Sequence, residues 1–71
     1  MRHFEYKDLA TNAKKFWEIS LESKKVIVTY GRIGIENPEQ KEKKFASGEK
    51  AKKDIESKIR EKTNKGYLEI N

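Results

Sequence analysis

"VIVTYGRIG", residues 26–34, decides the fold. Its first four residues are β-branched, which favours extended backbone. Apolar side chains fall on both faces, as in a central strand. The stretch then ends on an aromatic residue, a glycine and an arginine. Either this is a kinked strand, with Gly31 and Gly34 serving only backbone geometry as a bend or bulge, or it presents Tyr30 and Arg32 to a ligand. Alternation puts those two side chains on one face of the strand. Tyr30 suits sheet packing as well as stacking, and Arg32 suits an ion pair with Glu36 or Glu39 as well as a phosphate.

Upstream, Phe16-Trp17-Glu18-Ile19-Ser20-Leu21 sets Trp17, Ile19 and Leu21 on one face of a second strand. Glu22-Ser23-Lys24 makes the turn of an antiparallel hairpin. Residues 2–7 alternate polar and aromatic, as a half-buried strand does, and residues 8–13 read as a loop. Downstream, Pro38 lies in a loop over 36–39, because proline cannot donate to a ladder. Residues 40–46 form a weakly apolar strand anchored by Phe45. Ser47 caps a helix whose Ala51, Ile55 and Ile59 recur every four residues. Gly66 ends that helix in the left-handed conformation, with Lys62 and Lys65 complementing its dipole. Residues 67–70 add a short strand or a packed tail. The expected fold is α+β: a small antiparallel sheet of four to five strands with one α-helix on one face, a single domain over residues 1–71.

The composition bounds the function. With 71 residues, 34% hydrophobic and 41% charged, the chain holds one small core. It has no cysteine, which excludes disulfides and cysteine zinc sites and fits a reducing, cytoplasmic setting. The lone His3 makes no metal site by itself, and no cofactor is implied. No apolar run approaches the ~20 residues of a membrane span, and no signal peptide follows Met1. There is no internal histidine and no Ser/His/Asp set, and the acids are scattered among lysines. An enzyme is not expected.

The net charge is +5, and the excess lies after residue 40. Much of the helix compensates itself, with Glu49/Lys53, Asp54/Lys58, Glu56/Arg60 and Glu61/Lys65 at the favourable acid-first i, i+4 spacing. The less compensated groups are Lys41, Lys43 and Lys44, then Lys14 and Lys15, then Lys24 and Lys25. Basic clusters concentrate anions such as nucleic acid, and equally serve solubility. Gly31-Arg32-Ile33-Gly34 also fits the G-x-x-G backbone clamp of KH domains, but that loop joins two helices and this one ends a strand.

The order of segments is more specific than any one of them. "KFWEISL" at 15–21, "VIVTYGRIG" at 26–34, "KKFAS" at 43–47, the amphipathic helix and "EKTNKGYLE" at 61–69 together resemble a WGR domain. That family occurs in DNA-dependent poly(ADP-ribose) polymerases and in bacterial proteins related to a molybdate-metabolism regulator. The resemblance covers residues 2–70. It implies a non-catalytic module for DNA ends, nicks or strand breaks, with Tyr30 stacking in place of the naming tryptophan and Arg32 at the phosphate. Lys14-Lys15-Phe16-Trp17 stands where the family has Asn-Lys-aromatic-aromatic, which puts Lys15 at its basic position. Lys14, Lys41, Lys43 and Lys44 are expected to add electrostatic support. The loop after Gly34 departs from the family, bringing Glu36 and Glu39 near the expected anion site. A protein-interaction module of a bacterial regulator is the alternative expectation.

Overall fold

The computed structural model describes residues 1–70. Four strands run as a meander: β1 (Arg2–Asp8), β2 (Ala13–Glu22), β3 (Lys25–Arg32) and β4 (Glu39–Lys44). Helix α1 (Gly48–Asn64) then crosses the sheet and delivers β5 (Leu68–Ile70) to the far side of β1. The sheet order is β4-β3-β2-β1-β5, antiparallel throughout. The expected α+β fold is the observed one, and the tail over 67–70 resolves into a strand over its last three residues.

Alternation explains the core. Phe4, Trp17, Ile19, Val26 and Val28 point to one side of the sheet, where Ala51 of α1 meets them, and all six are buried. Ile55 and Ile59 continue the helix stripe but are only partly buried, with Leu21, Tyr30, Phe45 and Tyr67 around the same cluster. Ala51 is the buried residue of the helix, and its small side chain suits close approach to the sheet. Ser47 caps α1 as expected, its Oγ accepting from the Lys50 N–H at 3.2 Å. Two of the four spaced acid–base pairs form, Asp54–Lys58 at 2.8 Å and Glu61–Lys65 at 3.8 Å. Among the described residues, Glu49/Lys53 and Glu56/Arg60 do not close to within 4.0 Å.

The strand ends differ from the sequence reading. β2 begins at Ala13 and β3 runs to Arg32, because Lys14, Lys15, Gly31 and Arg32 satisfy the ladder whatever their side-chain polarity. No bulge interrupts Gly31, which pairs in register with Phe16. The chain turns instead at Gly34 (φ 92°), where the Ile35 N–H donates to the Arg32 carbonyl at 3.1 Å. β4 stops at Lys44, so Phe45 lies outside it and donates its N–H to the Lys24 carbonyl at 2.8 Å. Among the described residues, no helix is long and apolar enough to cross a membrane.

Among the described residues, the other side of the sheet carries no helix. There both ring nitrogens of His3 face carboxylates, Nδ1 to Glu18 at 2.8 Å and Nε2 to Glu5 at 3.0 Å, and the ring stacks on Phe16. Both contacts are satisfied only when the imidazole carries two protons. Hydrogen bonding to Glu5 and then to Glu18 accordingly raises the His3 pKa above its ordinary 6.5. The same bond, aided by Lys7, lowers that of Glu5 below 4.5.

Two outcomes are expected. In urea denaturation Gly34→Ala should destabilise by about 1–2 kcal/mol, the usual cost of a side chain in left-handed backbone. Gly31→Ala should cost less, since its Cβ would press only on the Ile35 Cγ2 at 3.0 Å, and Ile35 is exposed. Equal losses would place the backbone demand at Gly31 after all. For pH, a histidine whose pKa is raised by folding adds stability that is complete below 6.5 and is lost as pH climbs through its raised value. The Glu5 contribution is complete above 4.5 and lost on acidification. The melting temperature should therefore decline as pH rises above 6.5, and His3→Gln should remove that decline. A His3→Gln profile parallel to wild type would show that the bridge contributes nothing.

Candidate functional site

Tyr30 and Arg32 lie on the helix side of the sheet, on one face, as alternation required. The β2–β3 register sets Tyr30 opposite Trp17 and Arg32 opposite Lys15. Tyr30 is half-buried and Arg32 is exposed. Among the described residues, no carboxylate comes within 4.0 Å of Arg32, so the alternative of a pairing with Glu36 or Glu39 is not realised. A concavity of about 320 Å³ opens at this end of the sheet, lined by Lys15, Trp17, Tyr30, Arg32, Lys62 and Tyr67, with Phe16 and the Gly31 backbone at its border.

Lys62 and Tyr67 come from the far end of the chain, and the helix terminus explains their arrival. Gly66 (φ 102°) follows the cap residue Lys65. The Tyr67 N–H donates to the Lys62 carbonyl at 3.1 Å and the Gly66 N–H to the Thr63 carbonyl at 3.1 Å, the paired bonds of a Schellman motif. This closure folds Tyr67 back beside Lys62. The Lys62 ammonium sits 5.2 Å from the Tyr67 ring centroid and 5.8 Å from that of Trp17. Tyr6 packs on Tyr67 at 5.4 Å and lies 3.2 Å from where a Gly66 Cβ would be, so the glycine also makes room for this pair.

The electrostatics record the crowding. Burial lowers the Lys62 pKa below its ordinary value, Lys65 and Lys15 lower it further, and Glu61 opposes them. Burial, and then Tyr6, raises that of Tyr67. The chemistry on offer is three cations, Lys15, Arg32 and Lys62, beside an aromatic wall. An anionic group carried on a flat or sugar-like body suits that combination.

The remaining expected residues divide between the two faces. Lys41 and Lys43 pair with Val28 and Val26 and so face the helix side; the Lys41 ammonium lies 5.6 Å from the Tyr30 ring centroid. Lys14 pairs with Lys7 and Lys44 with Lys25, which puts both on the opposite face, away from Tyr30 and Arg32. Lys62 was legible only as a complement to the helix dipole. The glycine four residues after it, followed by an aromatic, is the pattern that marks the closure.

Comparison with known proteins agrees with this architecture. A family model described as "WGR domain" matches residues 1–71. Among solved structures, the crystal structure of a protein from Bacteroides fragilis matches at 37% sequence identity with a TM-score of 0.90. The match covers 99% of this chain and 19% of that one, so the chain spans about a fifth of that protein's length. None of the curated proteins matches the chain. Five strands, one helix, a Tyr-Gly-Arg strand end and a whole-length family match lead to one conclusion: the chain belongs to the WGR domain family.

Proposed function

We propose that this chain is a non-catalytic nucleic-acid-binding domain that takes DNA ends, nicks or other exposed strands in the cleft between β2, β3 and the end of α1. One observation carries the reading. Lys15, Arg32 and Lys62 converge on a single concavity, and among the described residues none of them has a carboxylate within 4.0 Å. Cations without internal partners favour an external anion. The family to which the chain belongs is one of binding domains with a nucleic-acid association. The lining of the cleft supplies cations and rings, with neither carboxylate nor imidazole among its described residues.

The roles follow from the side chains. The guanidinium of Arg32 offers a planar fork to a phosphate. Lys15 and Lys62 add point charges, and a bound phosphate opposes the burial, and then the repulsion from Lys65 and Lys15, that lower the Lys62 pKa. Tyr30 and Tyr67 give stacking surface to a sugar or base. Lys41 already occupies one side of Tyr30, so a ligand stacks on the other side or displaces that amine. The absence of cysteine suits a reducing cytoplasm, where we place the chain.

Titration with nicked, intact and single-stranded DNA at matched salt tests the proposal. With three to four phosphate contacts, the log–log salt slope on duplex should be about −3, at about −0.9 per contact. Arg32→Ala and Lys62→Ala should each weaken binding by about 1.5–3 kcal/mol, the range for hydrogen bonds to charged groups, and leave the circular dichroism unchanged. Tyr30→Trp should preserve or strengthen it. Absence of binding at low salt to every form of DNA and RNA would overturn the proposal in favour of a protein partner.

A further inference from the structure

We infer that the cleft continues as a track for a single strand, a groove between β4 and α1 that receives the unpaired extension of a nucleic-acid end. The inference rests on the nucleic-acid reading of the cleft and names the form of substrate it prefers.

The groove exists because α1 packs across β2 and β3 while β4, at the sheet edge, has all six residues exposed. Three concavities adjoin one another along it. The cleft shares Trp17, Tyr30 and Lys62 with a second hollow, and the second shares Val28, Lys41 and Lys58 with a third that reaches Val26 and Lys43. From the level of Arg32 to that of Val26 is six residues of strand, roughly 20 Å. A strand at B-form spacing fits about six nucleotides into that length, and a stretched strand fewer.

Charge along the groove is sorted by partner. Each acid that borders it already holds a lysine of its own: Asp54 grips Lys58 at 2.8 and 3.0 Å, Glu61 lies 3.8 Å from Lys65, and Glu42 turns to Lys25 at 3.3 Å. Glu39, opposite Tyr30, lines none of the three hollows. Lys41, Lys43 and Lys62 are held differently. Their ammoniums rest 5.2–5.8 Å from the ring centroids of Tyr30, Phe45, and Trp17 with Tyr67. Among the described residues, none of the three has a carboxylate within 4.0 Å.

A ring face holds an ammonium weakly where water reaches it, so a phosphate can recruit that ammonium without breaking an ion pair. Lys41 and Lys43 stand two residues apart on one face, ~7 Å along the strand. That is about twice the per-strand rise of B-form DNA, and so fits alternate phosphates of a stacked strand or successive ones of a stretched strand. The groove offers rings as well as ammoniums, and an unpaired extension, unlike a duplex, has bases free to stack on them.

The test compares a blunt DNA duplex with the same duplex carrying a single-stranded extension of about six nucleotides, by fluorescence anisotropy at matched salt. The readout is the ratio of the two affinities. Wild type should favour the extended duplex by about tenfold, with a salt slope steeper by about 1.4, as two further contacts at about 0.7 each to single-stranded DNA require. In Lys41→Ser/Lys43→Ser the ratio should fall to near one, with folding verified by circular dichroism. Equal affinities in wild type, with Arg32→Ala weakening both, would overturn the track and leave the cleft standing. A ratio that survives the double substitution would overturn it too, since the extension would then run elsewhere. Loss of binding to both duplexes at low salt would overturn the cleft and the track together.

Discussion

The register of β2 against β3 is the constraint on which the rest depends. A two-residue turn, Ser23-Lys24, joins them, with Ser23 in left-handed backbone (φ 58°), and pairs Glu22 with Lys25. Every later pair follows, Ile19 with Val28, Trp17 with Tyr30 and Lys15 with Arg32. A slip of one residue would turn one strand's side chains to the opposite face. Slipping β3 would expose Val26 and Val28 and carry Tyr30 and Arg32 away from α1 at the same stroke. Core and candidate site are thus two readings of one parity, and burial of the valines holds Arg32 where it stands.

Gly66 sets the second boundary of the site. The sheet supplies Lys15, Tyr30 and Arg32, but nothing in β2 or β3 brings the end of α1 over them. The closure after Lys62 does this by returning Tyr67 toward β1, and β5 follows at once. There the Arg2 guanidinium grips both oxygens of Glu69, at 2.6 and 2.8 Å. An exposed ion pair of this kind contributes little stability on its own, though its bidentate geometry favours it over most. The larger contribution to placing Lys62 is the packing of Tyr67 on Tyr6, which joins the helix end to β1.

Most of the fold was legible because hydrophobic alternation reports it directly. The β-branched run from Val26 announced the central strand, Trp17, Ile19 and Leu21 announced the buried face of its hairpin partner, and Ser47 and Gly66 announced the helix ends. Strand limits were less legible, since Lys14 and Lys15 pair through their backbones and no side-chain pattern records that. Gly31 suggested a bulge because glycine in a strand permits one, whereas the ladder continues through it and Gly34 makes the turn. Of the candidate site, the shared face of Tyr30 and Arg32 could be read from parity. The same parity separates Lys41 and Lys43 from Lys44 within β4. Lys62 could not be placed, because its neighbours Trp17 and Lys15 lie more than forty residues away in sequence and only the folded chain unites them.

The distribution of partners says more about this surface than the net charge of +5 does. A lysine bound to a carboxylate, such as Lys58 on Asp54, must give up that partner before it serves a ligand. A lysine over an aromatic ring leaves no opposite charge unpaired when it turns to a ligand, and the ring attracts it only weakly where solvent reaches. On the open face of the sheet several charges are matched, His3 with Glu5 and Glu18, Lys7 with Glu5, and Lys25 with Glu42, while Lys14 and Lys44 stand there outside the cleft. On the helix side, among the described residues, the basic groups flanking Tyr30 rest on rings or have no carboxylate within 4.0 Å. The two faces carry similar residue types, but on the helix side Lys15, Arg32 and Lys62 share one hollow with aromatic rings, and it is this convergence, more than the count of lysines, on which the proposed anion site rests.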